Sequence, residues 1–185
     1  MKLLVFALLA GLFIQDADLK MEKIKIGKYI SLDLPAGFRP LSSEDLIRKY
    51  VSSQLPIAAY ASADGTADFA ANVFASNWTS DDLQLPRQFY QARILSLYDS
   101  VSFIQSEIDE INGRPFIVFE FMSSLNPDET AATAASPMAR YNYIQYAFLN
   151  GKTAVFTFSC PAANKKQWQA AAAAIMESVK IKPGL

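Results

Sequence analysis

The chain contains no histidine among its 185 residues. Histidine is the commonest general base near neutral pH and a leading ligand of zinc, copper and non-haem iron. Its absence excludes Ser–His–Asp and Cys–His nucleophile arrangements. A hydrolase that uses only carboxylates stays open as the last-ranked alternative, because no acid pair has a convincing geometry. We therefore expect no catalytic residue, no bound metal and no cofactor.

Cysteine is nearly absent as well, since Cys160 is the only one. It cannot form an internal disulfide, so the fold must depend on its apolar core. A reactive thiol needs a neighbouring cation or base that lowers its pKa. The hairpin register derived below places Tyr141 and Phe158 beside Cys160 instead. The sequence predicts a buried, unreactive thiol.

Excess positive charge is also lacking: the net charge is -1 and the pI is near 5.5. A nucleic-acid partner is therefore not expected, because phosphate binding requires a basic face. Lysines 20, 23, 25 and 28 form a local exception. Lys23 and Lys25 alternate with Ile24 and Ile26, a pattern typical of the solvated side of an edge strand. We favour that interpretation over contact with an anionic surface.

The one long apolar run lies at the start of the chain, over residues 3–14, after Met1 and Lys2. One positive charge, a short apolar stretch and a polar exit are typical of a secretory signal peptide. The run is too short for a membrane span, which needs about 20 apolar residues. We predict a signal peptide over residues 1–17, cleaved near Ala17, and an extracytoplasmic (periplasmic or secreted) location. A buried N-terminal helix or an uncleaved anchor is the alternative.

Residues 18–185 are expected to form one domain, with 51% hydrophobic residues in the whole chain to supply a core. Local patterns predict three helices, the first beginning after an N-cap at Ser42, the second opening at Ser80, and the last covering about residues 165–180. The second helix carries apolar residues at helical spacing, namely Phe89, Tyr90, Ile94, Leu97 and Tyr98. Short strands are predicted over residues 24–26, 29–34, 57–61 and 67–75.

Two Asn-Gly pairs, Asn112-Gly113 and Asn150-Gly151, predict tight hairpins. Such turns determine the register of the flanking strands. Around the first, Ile108 should face Ile117 and Ile104 should face Phe121. Around the second, the facing pairs should be Tyr141 with Cys160, Tyr143 with Phe158, and Tyr146 with Val155. Both faces of the second hairpin are apolar, so we expect structure to cover each face.

The predicted order of elements is ββα-ββα-ββββ-α, which indicates an α+β fold. This order, the "LPAGF" after an early strand and the ending "NGKTAVFTFSCPAANKKQWQAAAAAIMESVKI" resemble the PsbP-like superfamily over residues 24–182. That group includes the extrinsic photosystem II protein, a nuclear Ran-binding relative and DcrB-type bacterial envelope proteins. The resemblance implies an α/β/α sandwich with a central, mostly antiparallel sheet, and members that act by binding other proteins. It supplies no shared catalytic residue, and this chain lacks the N-terminal cysteine of the lipoprotein members.

Three acidic residues on one predicted sheet face, Glu107, Asp109 and Glu120, could in principle bind a hard cation. Ligands on flat strands are poorly arranged to surround calcium. We expect a solvated polar face, with Glu120 partly exposed.

A long connection over residues 123–139 is rich in Ser, Thr, Ala and Pro. Long loops in small domains are often functional or disordered. We interpret this one as a mobile loop, and partner contact is the alternative. The candidate partner-binding residues are Asn126, Asp128, Glu129, Thr130, Met138 and Arg140.

The leading functional hypothesis is a non-catalytic exported accessory protein that docks onto a protein partner in the cell envelope. No membrane span is expected after removal of the signal peptide. The alternative is a carrier that encloses a small apolar ligand between the sheet and the helices. The aromatic residues for that role would be Tyr141, Tyr143, Phe156, Phe158 and Trp168, although such residues more often form the core.

Overall fold

The computed structural model describes residues 20–50, 55–126 and 138–185. The predicted signal peptide lies outside these residues, as do the candidate contacts Asp128, Glu129 and Thr130. Within the described ranges, no helix combines the length and the apolar character needed to cross a membrane.

The described chain alternates strands with three helices in the predicted order. The strands are β1 (Met21–Ile26), β2 (Ile30–Pro35), β3 (Arg39–Pro40), β4 (Ala58–Ala61), β5 (Asp68–Ala75), β6 (Ser100–Ile111), β7 (Arg114–Leu125), β8 (Met138–Leu149), β9 (Lys152–Pro161) and β10 (Lys180–Ile181). The helices are α1 (Ser43–Lys49), α2 (Gln84–Leu97) and α3 (Lys165–Glu177). Two short strands, β3 and β10, were not predicted.

Seven strands form an antiparallel central sheet in the order β3-β4-β5-β9-β8-β7-β6. The first predicted hairpin does not join it: β1, β2 and β10 form a separate three-stranded sheet. The α+β sandwich is thereby confirmed, with a small sheet as part of one of its layers. Because β10 pairs with β2, the last strand of the chain lies beside one of the first strands.

Both Asn-Gly turns have the backbone conformation that the sequence predicts. Asn112 and Gly113 have φ values of 52° and 74°, and Asn150 and Gly151 have values of 50° and 68°. Positive φ at both central residues is the requirement of a type I′ turn. The predicted register of the second hairpin is confirmed in full.

The register of the first hairpin is confirmed at Ile108 and Ile117 but is wrong at Ile104. The pairing shifts between Phe103 and Gln105, so Phe103 faces Phe121 and Ile104 is exposed. A β-bulge adds one residue to a strand and so exchanges the side chains that reach each face. Here the exchange places the ring of Phe103 against that of Phe121, with centroids 5.7 Å apart.

The central sheet separates two apolar cores. On one face, α3 and the small sheet cover a core that includes Leu32, Phe69, Phe156 and Ile175. On the other face, α2 covers a smaller core around Tyr90, Ile94, Phe119, Phe121 and Tyr146. The predicted cover on both faces is confirmed, but the helix on the second face covers only part of it.

The last helix ends at Glu177, three residues before the predicted end at Lys180. The Ser178 hydroxyl donates to the carbonyl oxygen of Ile175 at 2.6 Å and accepts the backbone N–H of Asp33 at 2.8 Å. Val179 is still buried, as predicted, and Lys180 and Ile181 pair with β2. The helix therefore stops earlier than the sequence pattern predicts, because the residues that follow it pair with β2, which is a tertiary interaction.

Candidate functional site: the groove beside α2

An open groove of about 480 Å³ lies between α2 and the central sheet. We call it the α2 groove. Its floor is formed by side chains of β5, β9, β8 and β7, and one wall is formed by α2. The lining residues are Asn72, Phe74, Phe89, Tyr90, Arg93, Ile94, Leu97, Tyr98, Phe121, Ile144, Tyr146 and Val155.

The attachment of α2 to the sheet explains why the groove is on one side of the helix. Tyr90 stacks on Tyr146 with ring centroids 4.0 Å apart, and Phe148 lies 6.3 Å from Tyr90. The Arg87 guanidinium donates to the carbonyl oxygen of Ser106 on β6 at 3.1 Å. The helix is therefore held over β8 and towards β6. On this face, beside the helix, Asn72 and Phe74 of β5 are only partly buried.

Two large apolar side chains of α2 remain exposed beside this groove. Phe89 is 49% exposed and Leu97 is 55% exposed, although both belong to the predicted apolar stripe of the helix. Only Tyr90 and Ile94 of that stripe are buried. Apolar side chains that flank a groove and stay in contact with water are typical of an interaction surface. The helix α2 therefore carries more apolar side chains than it buries against the sheet.

The groove has polar groups as well as apolar ones. Among the described residues, Arg93 is the only charged lining residue, Asn72 contributes an amide from β5, and Tyr90, Tyr98 and Tyr146 carry hydroxyls. Burial raises the pKa of Tyr90, so its hydroxyl stays protonated over a wider pH range than in water. The groove therefore combines apolar side chains with hydroxyls, an amide and one positive charge on its helical wall.

Tyr98 continues the groove towards the end of the sheet where β7 and β8 meet. It also lines a cavity of about 300 Å³ with Ser123, Leu125, Met138, Ala139, Arg140 and Pro161. Two of the predicted contact residues, Met138 and Arg140, therefore lie next to the groove. Met138 is 68% exposed. The third described candidate, Asn126, donates its backbone N–H to Asp99 Oδ2 at 2.6 Å.

A hydrogen-bonded network supports this end of the sheet. The amide of Asn142 donates to Ser123 Oγ at 2.9 Å and accepts the Ser159 hydroxyl at 3.0 Å. Arg140 Nε donates to Ser159 Oγ at 2.8 Å, and its Nη2 lies 3.7 Å from Asp68 Oδ2. Lys49, at the end of α1, forms an ion pair with the same Asp68 carboxylate. Arg140 is therefore held in place from two strands.

The predicted loop over residues 123–139 is too long. Ser123–Leu125 belong to β7 and Met138 begins β8, and Leu125 pairs directly with Met138. Ser123 is buried, and its hydroxyl oxygen accepts a hydrogen bond from the Asn142 amide. This pairing of β7 with β8 was not predicted from the sequence, because the segment contains few apolar residues. The pairing depends instead on backbone hydrogen bonds and on the network described above.

The predicted partly exposed position of Glu120 is wrong. Its side chain is 8% exposed, and Oε1 accepts the Tyr141 hydroxyl at 2.9 Å and the Gln169 amide at 2.6 Å. Glu107 and Asp109 on the same face are exposed, as predicted. Among the described residues, no three acidic or cysteine side chains are grouped so that they could hold a metal ion.

The aromatic residues proposed for an enclosed apolar ligand fill the core on the α3 side. Tyr141, Phe156 and Phe158 are fully buried, and Trp168 packs against Phe158 with centroids 6.2 Å apart. The α2 groove lies on the opposite face of the sheet. Cys160 is buried as predicted, and desolvation raises the pKa of its thiol to about 11. A thiol with that pKa is almost entirely protonated near neutral pH.

Comparison with solved structures identifies the fold. The chain is similar to cyanobacterial PsbP (CyanoP) from Synechocystis sp. PCC 6803, with a TM-score of 0.58 and 12% identity over 90% of this chain and 95% of that one. It is similar to the Ran-binding protein Mog1p of Saccharomyces cerevisiae, with a TM-score of 0.58 and 11% identity over 88% and 96%. LpqN, involved in cell envelope biogenesis of Mycobacterium tuberculosis, has a TM-score of 0.54 and 14% identity over 92% and 95%.

These neighbours define an α+β sandwich of the PsbP and Mog1 type, and the chain has this fold over most of its length. The fold that the sequence resemblance implies is thereby confirmed. No family model and no curated protein sequence matches the chain.

Proposed function

We propose that this protein is a non-catalytic accessory protein that binds a protein partner through the α2 groove. The observation that carries the proposal is the exposure of Phe89 and Leu97 beside this open groove. Burying such side chains against a partner gains about 25 cal/mol for each Å² of apolar surface. Solved neighbours with the same fold support a binding role, since one of them is described as Ran-binding.

We propose that the contact surface extends from the α2 groove through Tyr98 to Met138 and Arg140. Tyr98 lines both the groove and the adjoining cavity. Arg140 is held by Ser159 and lies near Asp68, so its guanidinium can meet a partner without first being ordered. The other predicted contacts, Asn126, Asp128, Glu129 and Thr130, remain part of this proposal as residues of the adjacent connection.

We also propose that the protein is exported, with residues 1–17 as its signal peptide and a partner in the cell envelope. The short apolar run after Lys2 supports this part of the proposal. N-terminal sequencing of protein from the native host tests it directly, with a chain that starts near Asp18 as the expected result. Recovery of most of the protein in the cytoplasm with Met1 in place would refute export.

The docking proposal is tested with the double variant Phe89→Ser/Leu97→Ser. Ile47→Ser/Ile57→Ser is the matched control, because Ile47 and Ile57 are 65% and 51% exposed and neither lines the groove. Immobilised wild-type and variant proteins are compared for recovery of envelope proteins from the native host. We expect a protein that wild type and control recover and the groove variant loses. Equal recovery by both double variants would place the contact elsewhere.

A second experiment separates the groove from the adjacent connection. Because Leu125 pairs with Met138, a tight turn can replace residues 127–137 without disturbing either strand. We expect the melting temperature to stay the same or rise, since shorter loops are cheaper to close. Loss of the partner together with an intact fold would assign the contact to the connection. Collapse of the fold would mean that these residues are structural.

A carrier function is the second candidate, supported by the groove volume of about 480 Å³. Small-molecule sites usually exceed about 300 Å³. An environment-sensitive apolar dye that binds wild type and the Ile47→Ser/Ile57→Ser control but not the groove variant would favour it. Dye binding that is equal in all three proteins would count against a carrier site in the groove.

A further inference from the structure

The outer face of the small sheet concentrates lysines from the two ends of the chain. Lys25 on β1 and Lys180 on β10 both pair with Ser31, from opposite sides of β2. Directly paired residues project to the same face of a sheet, so the three side chains form a row. Lys23 lies two residues from Lys25 and projects to the same face. All three lysines are exposed, whereas the alternate residues of β2 are buried in the core.

A tyrosine lies among these lysines at the end of the sheet. Tyr29 precedes Ser31 by two residues and is half-buried, and Lys28 Nζ lies 5.3 Å from the centroid of its ring. The backbone N–H of Lys182 donates to the carbonyl oxygen of Tyr29 at 2.8 Å, which places Lys182 beside it. We call this surface the lysine face, and its members are Lys23, Lys25, Lys28, Tyr29, Lys180 and Lys182.

The lysine face is basic in a chain whose net charge is -1. Asp33, which pairs with Lys23, is the one carboxylate at a strand position that projects to this face. Within the described residues, none of these lysines has an ion-pair partner within 4.0 Å. Protein surfaces ordinarily intersperse charges of both signs. Edge protection accounts for Lys23 and Lys25, but five lysines on one face, with a single facing carboxylate at Asp33, favour an anionic partner.

We propose that the lysine face binds the surface of an anionic lipid bilayer. The face is the outer side of a three-stranded sheet, which can approach a planar array of headgroups with several lysines at once. Each lysine near an anionic membrane strengthens partitioning by about fivefold, and long lysine side chains can reach the phosphates while the backbone stays outside. Tyrosine is enriched at membrane–water interfaces because its ring is apolar and its hydroxyl is polar.

The lysine face and the α2 groove lie on opposite sides of the central sheet. The small sheet packs on the α3 side of the central sheet, whereas α2 lies on the other side. A protein held to a bilayer by the lysine face would therefore present the α2 groove away from the membrane. The two surfaces are independent, so either can be removed without the other.

The test is co-sedimentation of the protein, purified from its native host, with lipid vesicles. We expect binding to equimolar phosphatidylglycerol and phosphatidylcholine, and none to phosphatidylcholine alone. High salt, at which the screening length falls to about 3 Å, should release the protein. Absence of binding to the anionic vesicles, or equal binding to both kinds, would overturn the proposal.

Matched charge reversals locate the contact. Lys25→Glu/Lys180→Glu should lower the partition coefficient at least about tenfold. Lys152→Glu/Lys166→Glu changes the net charge by the same amount at exposed lysines outside the lysine face, and should lower it by less than about threefold. Equal losses of vesicle binding in the two double variants would show that net charge, and not the position of the lysines, determines binding. That result would overturn the assignment. Thermal unfolding confirms that each variant is folded, and Lys25→Gln/Lys180→Gln replaces the first pair if charge reversal unfolds it.

The vesicle assay is also run with the Phe89→Ser/Leu97→Ser variant. Its partition coefficient should equal that of wild type, because neither residue belongs to the lysine face. A loss comparable to that of the lysine variant would show that the groove, and not the lysine face, contacts the bilayer. Failure of membrane binding with intact partner recovery leaves the proposed function in place.

Discussion

The ring of Tyr90 on α2 lies over the ring of Tyr146 on β8, with centroids 4.0 Å apart and ring planes 21° apart. Tyr90 and Ile94 are the main side chains that anchor the outer helix to the sheet. The α2 groove lies between the helix held by this anchor and the partly buried Asn72 and Phe74 of β5. Removing the stack should therefore affect both stability and the groove.

Replacement of Tyr90 by Ala should lower the free energy of unfolding by about 3–5 kcal/mol, as for other large aromatic truncations in a core. Tyr90→Phe keeps the ring and should cost no more than about 1 kcal/mol. Urea denaturation of the two variants measures the difference. A cost for Tyr90→Ala close to that of Tyr90→Phe would mean that the stack does not hold α2.

On the opposite face of the sheet, Trp168 connects α3 to two loops, one between β2 and β3 and one between β4 and β5. Its ring packs edge-on against Phe38 at 5.6 Å, and its Nε1 donates to Thr66 Oγ1 at 3.2 Å. Trp168→Ala should cost about 3–5 kcal/mol. Thr66→Val, which removes this acceptor together with the hydroxyl that donates to the Asp64 carboxylate, should cost about 1 kcal/mol. Both values come from chemical denaturation, and similar costs for the two variants would contradict a packing role for the ring.

The Cys160 thiol should react with a thiol reagent far more slowly in the folded protein than after unfolding. It is fully buried, and desolvation raises its pKa to about 11, so little thiolate is present and access is blocked. The reaction is followed by absorbance with and without denaturant. Equal rates would show that this region opens readily. Cys160→Ser should leave biological activity intact at a modest cost in stability.

The stability of the protein should fall in alkali and change little near neutral pH. Burial raises the pKa of Tyr143 from 10.0 to about 12, so the folded protein keeps a proton that the unfolded chain loses. This contribution is complete below about pH 10 and is lost as the pH rises towards 12, with a size of about 2–3 kcal/mol. Tyr143→Phe should make the decline shallower in denaturation curves recorded across this range.

Between about pH 6 and 9, the absence of histidine removes the side chain that ordinarily titrates near 6.5. We expect a nearly constant free energy of unfolding there. A steep change within this window would mean that another group titrates on unfolding.

Much of the strand pairing in the central sheet could be predicted, because turn residues and the alternation of neighbouring side chains specify it. The two Asn-Gly turns set the pairing of β6 with β7 and of β8 with β9, and the side-chain period of two then assigns each face. The bulge at Ile104 could not be predicted, because an extra residue in a strand leaves the turn and the flanking pattern unchanged. Its cause is tertiary, since Phe103 packs on Phe119 and Phe121.

The candidate site was only partly predictable. Met138 and Arg140, two of the predicted contact residues, lie beside the α2 groove, but the groove itself was not predicted. The sequence does show that α2 has a wide apolar stripe. It does not show that Phe89 and Leu97 stay exposed, since that depends on where the helix crosses the sheet. The buried position of Glu120 was missed because its partner Gln169 lies on α3, 49 residues further along the chain.

By itself the sequence excluded histidine-based chemistry and determined the α+β class, the register of the second hairpin, the pairing of the first hairpin near its turn, and the buried state of Cys160. These follow from composition, from turn chemistry and from periodicity, which act over a few residues. Only the tertiary structure decided that β10 pairs with β2 and brings Lys180 next to Ser31 opposite Lys25. Only the packing of α2 decided which apolar residues remain exposed. Both results depend on contacts between segments far apart in the chain, and no local pattern encodes such contacts.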